Sequence, residues 1–439
     1  MNIKLIGLIF AQLAFAYTTQ VQEASVSTSV EAPSHGPFTG HVGANEAFLW
    51  MRSANKRLFD LRIRKAESED AEFLTVQAQA VEEQDFCVRW NVTGLKAQTT
   101  YSYSIYEQAG PSSQPAELVA GPYSFTTAPN DDSQAPVRIA FGSCADEDEG
   151  TGKVWQQMAL AKAEAIVLMG DTPYIDSTDT VRQRQRYREF AAHAPMAQVL
   201  HSTPWYGTWD DHDFGRDAAN GNIKHKERVR QVFMEYHANP FYGENDAGVY
   251  MSFRRGPVET FVLDTRWFSN TKPSQFDKDQ PTLLGAAQWA WLEAGLRDSN
   301  APVKVIVSGM IFNDAVRPNK PDYWGAYPAE RRGLFELIGR HKVKGVMLIS
   351  GDIHRSRVIQ HSSAAMAGYD ILELISSPMH HRIIKSANAP HPGLLWDMGL
   401  KNGFLLLKVK PTEDEAEATG QFIDSTGKTA FELDIPMGY

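Results

Sequence analysis

Cysteine is scarce in this chain of 439 residues, which holds only Cys87 and Cys144. A disulfide framework is therefore excluded as the basis of the fold, because such scaffolds are small and cysteine-dense. Long apolar runs are also missing. Beyond the N-terminus no segment approaches the roughly 18 unbroken apolar residues that a membrane-crossing helix needs. Positive charge is in deficit, with 43 Lys and Arg against 53 Asp and Glu and a formal net charge of -10. That balance argues against a nucleic-acid backbone or an anionic membrane as the main partner. An anionic substrate would need local positive charge, most economically a metal ion.

What is present is the composition of a globular protein, with 43% hydrophobic and 11% aromatic residues. The length predicts two domains with apolar content enough for both cores. At the start, Met1-Asn2-Ile3-Lys4 precedes an apolar stretch, Leu5 to Phe15, that closes on Ala14-Phe15-Ala16. One early positive charge, a short apolar region and a small-x-small end describe a secretory signal peptide over residues 1–16. Export to a periplasmic or extracellular space follows as the expectation. Cys87 reads as a buried small hydrophobe there, and a disulfide to Cys144 is disfavoured by their placement.

From Pro37 to Thr127 the pattern is strand-like. Phe86, Val88, Trp90 and Val92 alternate with other residues, as do Tyr101, Tyr103 and Ile105, the period of half-buried strands. The segment Val92 to Tyr101 resembles the turn-and-tyrosine stretch of fibronectin type III sandwiches. A small all-β sandwich over 37–127 is expected, structural or substrate-shading in role because it holds no dense group of ionisable residues. Residues 128–136 are polar, bounded by prolines, and read as a linker. Thereafter, over 137–439, strands and helices alternate as in an α/β domain. Strands are expected at Val137–Ser143, Ala165–Met169, Glu259–Asp264, Val303–Ser308, Val346–Ser350, Ile371–Ile375, Phe404–Val409 and Ala430–Ile435. Helices are expected near Lys153–Ala163, Thr180–Ala192, Lys224–Tyr236, Gly285–Leu296 and Ala329–Gly339, with a mixed or antiparallel C-terminal sheet.

Chemistry-bearing residues gather where apolar strands end. After Val137 to Phe141 comes Gly142-Ser143-Cys144, in which glycine permits a tight exit and the thiol reads as metal ligand, packed cysteine or nucleophile. After Ala165 to Met169 comes Gly170-Asp171, a carboxylate able to bridge two cations or simply to cap a turn. Tyr174 follows, a ligand only beside a strongly acidic metal. Trp209-Asp210-Asp211-His212-Asp213-Phe214-Gly215-Arg216-Asp217 packs four carboxylates and an imidazole into nine residues, which repel unless cations or solvent intervene. His212 suits either ligand or general acid. After Val346 to Ser350, Asp352 and His354 are one residue apart and point the same way on an extended segment. Arg266, in Asp264-Thr265-Arg266, either binds a phosphate oxygen or pairs with Asp264. His380-His381-Arg382 either lines the pocket mouth or forms an exposed polar loop.

These blocks, in this order, resemble the PhoD-like alkaline phosphatases, a branch of the calcineurin-like metallophosphoesterases. Leu284 to Leu292, Trp324 and Tyr327 to Arg331 also fit, and the resemblance covers nearly the whole chain after the leader. It implies a four-layer αββα metallophosphoesterase domain preceded by the sandwich. It also implies Fe(3+) with Ca(2+), other divalent metals being alternatives. Cys144, Asp171, Tyr174 and His354 would be iron-side ligands, Asp171 would bridge, and Asp211 and Asp352 would complete the calcium side. Relatives commonly carry asparagine where this chain has Asp217, which is kept as a candidate ligand. The implied reaction is hydrolysis of phosphate esters, monoesters and diesters, by a metal-bound hydroxide, with His212 protonating the leaving group and Arg266 assisting phosphate binding. A monomer acting on a phosphate-ester substrate is expected. The rival readings are a phosphodiesterase or phospholipase D-like enzyme on the same fold, and a non-catalytic surface adhesion protein.

Overall fold

The computed structural model describes residues 32–438 apart from 69–71, 109–115, 318 and 414. The expected signal peptide, residues 1–16, lies outside the described residues.

The first segment forms β1 (His35–Val42), β2 (Glu46–Arg52), β3 (Leu58–Lys65), β4 (Leu74–Gln79), β5 (Cys87–Thr93), β6 (Thr100–Glu107) and β7 (Glu117–Thr126). They pair antiparallel into two sheets, ordered β1-β2-β5 and β4-β3-β6-β7. Period two decides their faces: Val88, Trp90 and Val92 of β5 enter one core with Leu61 of β3 and Tyr103 of β6, while Arg89, Asn91 and Thr93 face out.

The second segment begins with β8 (Val137–Gly142), β9 (Ala165–Met169), β10 (Trp205–Thr208), β11 (Met251–Arg255), β12 (Val258–Val262) and β13 (Val303–Ser308). It continues with β14 (Val346–Ser350), β15 (Ser356–His361), β16 (Ile371–Ile375), β17 (Leu394–Met398), β18 (Gly403–Pro411), β19 (Ala416–Asp424) and β20 (Thr429–Asp434). Its helices are α1 (Glu149–Leu160), α2 (Thr180–Ala191), α3 (Ala194–Leu200), α4 (Asp211–Phe214), α5 (Lys226–Tyr236), α6 (Gly285–Asp298), α7 (Pro328–Arg340) and α8 (Ala364–Ala367). One mixed sheet runs β10-β9-β8-β18-β19-β20 and the other β11-β12-β13-β14-β16-β15-β17. The fold is thus α/β, parallel where helices connect the strands and antiparallel over β18 to β20.

Alternate residues of each central strand bury against different partners. Ile139 and Phe141 of β8 join Val305 of β13 and Ile349 of β14 in one core, whereas Ala140 packs with Trp155 and Met158 of α1. Ile306 and Leu348 turn instead to Trp289 of α6 and Leu334 of α7. Burial on both faces explains why these strands read as continuous apolar runs. β10, β11, β15, β17 and β19 escaped the sequence because they are short, half exposed, or interrupted by buried polar residues such as Arg357 and His361.

The antiparallel segment is fixed to the α/β segment. Phe38 and Trp50 share a core with Tyr236 and Ala238, Trp50 Nε1 donates to Glu235 O at 2.7 Å, and Tyr103 Oη donates to His201 O at 2.6 Å. Asp85 accepts from Arg52 of its own segment and from Arg188 of α2 at 2.7 Å. Cys87 and Cys144 are both buried and unpaired, and burial was the sequence expectation for Cys87 alone.

His237, at the end of α5, gives a pH-dependent prediction. Its ring is buried, stacks on Phe233 at 3.7 Å and donates from Nδ1 to Phe233 O at 2.8 Å. Burial lowers its pKa to about 3. The unfolded chain therefore takes up the proton first, so the contribution is whole above the ordinary histidine pKa of about 6.5 and is lost as pH falls towards 3. The stability advantage of the wild type over His237→Gln, measured by urea unfolding, is expected to shrink by on the order of 3 kcal/mol between pH 7 and pH 4. A gap independent of pH would contradict it.

Candidate metal centre

The site is built by three strand exits with the same backbone device. β8 is followed by Cys144 at φ 55°, β9 by Gly170 at 92° and Asp171 at 54°, and β14 by Asp352 at 67° and His354 at 49°. A non-glycine residue in this left-handed region costs on the order of 1 kcal/mol or more and persists only where its surroundings enforce it. Here the exits enforce one another: Cys144 N donates to Gly170 O at 3.2 Å, Ala145 N to Asp171 O at 3.0 Å, and His380 N to Cys144 O at 3.1 Å. Gly170 has no substitute, since a Cβ there would lie 2.4 Å from the Asp210 backbone nitrogen.

At one end the ligand atoms of Cys144, Asp171 and His354 all lie within 4.8 Å of one another. Cys144 Sγ is 3.5 Å from Asp171 Oδ2 and accepts from Ser377 Oγ at 3.2 Å. Tyr174 Oη is 2.8 Å from His354 Nε2 and 3.0 Å from His380 Nε2. Asp171 also belongs to a second group, with Asp211 and His212, within the same 4.8 Å limit. His212 donates its backbone N–H to Asp171 Oδ1 at 3.3 Å, and its Nδ1 meets Asp176 Oδ1 at 2.6 Å. Asp211 Oδ2 accepts from Ala218 N at 2.7 Å.

The electrostatics of this cluster fit a cation. Burial, then the neighbouring Asp171, pushes the Cys144 thiol up; burial, then Cys144, pushes the Tyr174 phenol up. Burial and then Asp211 and Asp210 do the same to Asp171. His354 is lowered to about 3 by burial and then by His380, and is therefore a neutral imidazole. The upward shifts of Cys144, Tyr174 and Asp171 each oppose anion accumulation, and a multivalent cation among these atoms reverses those three, while a neutral His354 is the form that can ligate. Buried Asp210 Oδ2 and Asp211 Oδ1 also lack a hydrogen-bond partner. Thiolate, phenolate and imidazole suit a softer, acidic metal, whereas carboxylates suit a harder one.

Several residues stand elsewhere than expected. Arg266 does not pair through its guanidinium with Asp264, whose carboxylate is filled by Trp209 Nε1 and the backbone N–H groups of Arg266, Trp267 and Val249. It is fully buried, donating to Asp210 Oδ1 at 2.6 Å and Asp322 Oδ2 at 2.9 Å, with Asp211 at 3.6 Å. Three carboxylates thus hold the group expected on a phosphate. Asp217 is exposed and outside both ligand groups, on the wall of a cleft of about 830 Å³ with Ser177, Arg216 and Lys224. Asp352 and His354 do not share a face: Ile353 N bonds Gly351 O at 2.9 Å, a tight turn that replaces the extended segment. His354 is thereby sent to Tyr174, and Asp352 to Lys320 Nζ at 2.7 Å.

Sequence reasoning missed Ser377, Asp176, Lys320 and Asp322, and only half reached His380. His380 is fully buried in the cluster, whereas the His381 side chain is 62% exposed beside Asp148 and Arg382 lies 5.0 Å above the Tyr174 ring. Motifs far from the cluster buttress it. Gln288 grips Asp264 through both backbone groups at 2.8 Å, and Glu330 accepts from Trp289 Nε1 at 2.8 Å and Leu284 N at 3.0 Å.

Two mixed sheets whose strand exits gather thiol, phenol, imidazole and carboxylate groups define an α/β protein with a candidate metal centre. The sequence profile of the PhoD-like phosphatases matches residues 139–392, and the chain belongs to that family. It is similar to alkaline phosphatase D of Bacillus subtilis (strain 168), 26% identical over 269 residues, or 50% of this chain and 46% of that protein. The match thus spans about half the length of the relative. A solved structure described as PhoD superposes with a TM-score of 0.72 over 92% of this chain and 93% of that one, at 18% identity, and so shares the fold. A dimetal phosphatase of Danio rerio reaches a TM-score of only 0.42 at 13% identity over 68% of this chain and 98% of that one.

Proposed function

We propose that the protein is an exported, metal-dependent phosphatase that hydrolyses phosphate esters. The convergence of Cys144, Asp171, Tyr174 and His354 on one rim, inside the segment that matches the family, carries this reading. Iron would be held by those four residues, with His380 against the phenol, and a calcium ion by Asp171 and Asp211. Bound cations would supply Lewis acidity towards phosphoryl oxygens and acidify water.

The remaining chemistry belongs to the chain. Burial lowers the His212 pKa, but Asp211 and Asp176 outweigh it and raise the pKa above the ordinary histidine value, which favours the imidazolium. With Nδ1 engaged by Asp176, Nε2 is the atom that delivers that proton to a departing alkoxide. Asp176 orients the ring. Monoesters are the leading substrates, with diesters included as a second class. The three packed cores support a four-layer αββα domain over 137–439, joined by 128–136 to a fibronectin-like sandwich over 37–127. No described helix is long and apolar enough to cross a membrane. A leader over 1–16 and a monomeric state complete the proposal.

Elemental analysis combined with a visible absorption spectrum tests the metal assignment. Iron and calcium are expected, with a phenolate-to-iron charge-transfer band that disappears in Tyr174→Phe. A colourless zinc-only protein with full activity would overturn it.

A further inference from the structure

Lys320 lies between β13 and α7, in a stretch without periodicity, yet its side chain is only 4% exposed. Burying an ammonium is costly unless carboxylates compensate it. Here Nζ is 2.7 Å from Asp352 Oδ2 and 3.0 Å from Asp322 Oδ1, and Asp322 Oδ2 in turn meets Arg266 Nη1 at 2.9 Å. Arg266 then reaches Asp210 and Asp211. Four carboxylates on this side of the centre are therefore laced together by two fixed cations. The opposite end differs. Among the described residues no Lys or Arg makes an ion pair with Asp171, and Cys144 meets only hydroxyl, carboxylate and carbonyl groups.

The ammonium stands 2.7 Å from Asp352 Oδ2 as an ion pair without hydrogen-bond alignment, and its charge repels a divalent cation that would approach the same oxygen to about 2.0–2.6 Å. We propose that Lys320 is a built-in cation that takes the place of a divalent metal ion at Asp352, so that the Asp352 side binds no ion while Lys320 is present. This inference rests on the metal-centre reading. It removes Asp352 from the ligand set and confines resident metal to the groups built on Asp171.

The test counts ions rather than turnover. Full-length wild type, Lys320→Met and Asp352→Asn are dialysed to equilibrium against calcium and analysed for metal per chain, with circular dichroism as the check on folding. Lys320→Met is expected to bind one more calcium than wild type, and Asp352→Asn the same number as wild type. A folded Lys320→Met with an unchanged count would overturn the inference. So would loss of an ion in Asp352→Asn, which decides the matter even if Lys320→Met does not fold. A wild type that binds no metal at all would instead remove the metal-centre reading, and the inference with it.

Discussion

Asp171→Asn is expected to lower phosphate-ester turnover by on the order of 1,000-fold or more while leaving the fold intact. The carboxylate belongs to both candidate ligand groups, so its loss strikes both at once. Asparagine keeps the size and one oxygen, but its amide presents N–H donors or a single neutral oxygen where two anionic oxygens face Cys144 Sγ and the His212 N–H. A second readout separates this role from simple packing. Without metal, Asp171 is buried among Asp211, Asp210 and Asp213, which disfavour its charge. Removing that charge is expected to make the metal-free chain more stable, by about 1–2 kcal/mol, even as activity disappears. Chemical denaturation after chelation measures it. Retained activity, or destabilisation of the metal-free chain, would mean that Asp171 is a turn residue and not a shared ligand.

Arg266→Ala is expected to destabilise the protein by about 3–5 kcal/mol, the cost of stranding buried charges when one partner of a buried network is removed. Asp210, Asp211 and Asp322 would lose their common cation, and Ala219 O a donor at 3.1 Å. Arg266→Lys is expected to recover only part of this, because a single ammonium cannot span three carboxylates as a guanidinium fork does. Urea unfolding of both variants decides between two roles. A phosphate-binding arginine would raise KM with little change in the unfolding midpoint; a brace shifts the midpoint first. Near-wild-type stability in Arg266→Ala would restore the phosphate-binding reading.

The legible part of this molecule was the part encoded locally. Apolar runs followed by Gly142 or Gly170 announced strand exits, and the exits carry Cys144 and Asp171 as the sequence predicts. β13, β14 and the helices α6 and α7 were legible for the same reason, since burial on two faces leaves a continuous apolar run and burial of one stripe a helical period. The partners of Arg266 were not legible because they lie 56 residues away on either side, at Asp210 and Asp322, while the carboxylate two residues away is satisfied by backbone and indole donors. Asp352 and His354 were misread because a left-handed turn breaks the alternation that an extended segment would show. Lys320 left no signal at all: a lysine in an irregular loop reads as solvated, and only the tertiary fold reveals that it is enclosed. His380 was visible as one of three adjacent polar residues, but which of them turned inwards depended on contacts with Tyr174 and the Cys144 carbonyl.

Hydrolysis of p-nitrophenyl phosphate and of its bis ester, before chelation, after chelation and after return of iron and calcium, tests whether the protein is a metal-dependent phosphatase. Release of p-nitrophenol from the monoester by the protein as purified, abolition by exhaustive chelation and recovery when the ions return are expected. Turnover that survives complete metal removal, or no turnover of either ester by the metal-loaded protein, would contradict that assignment.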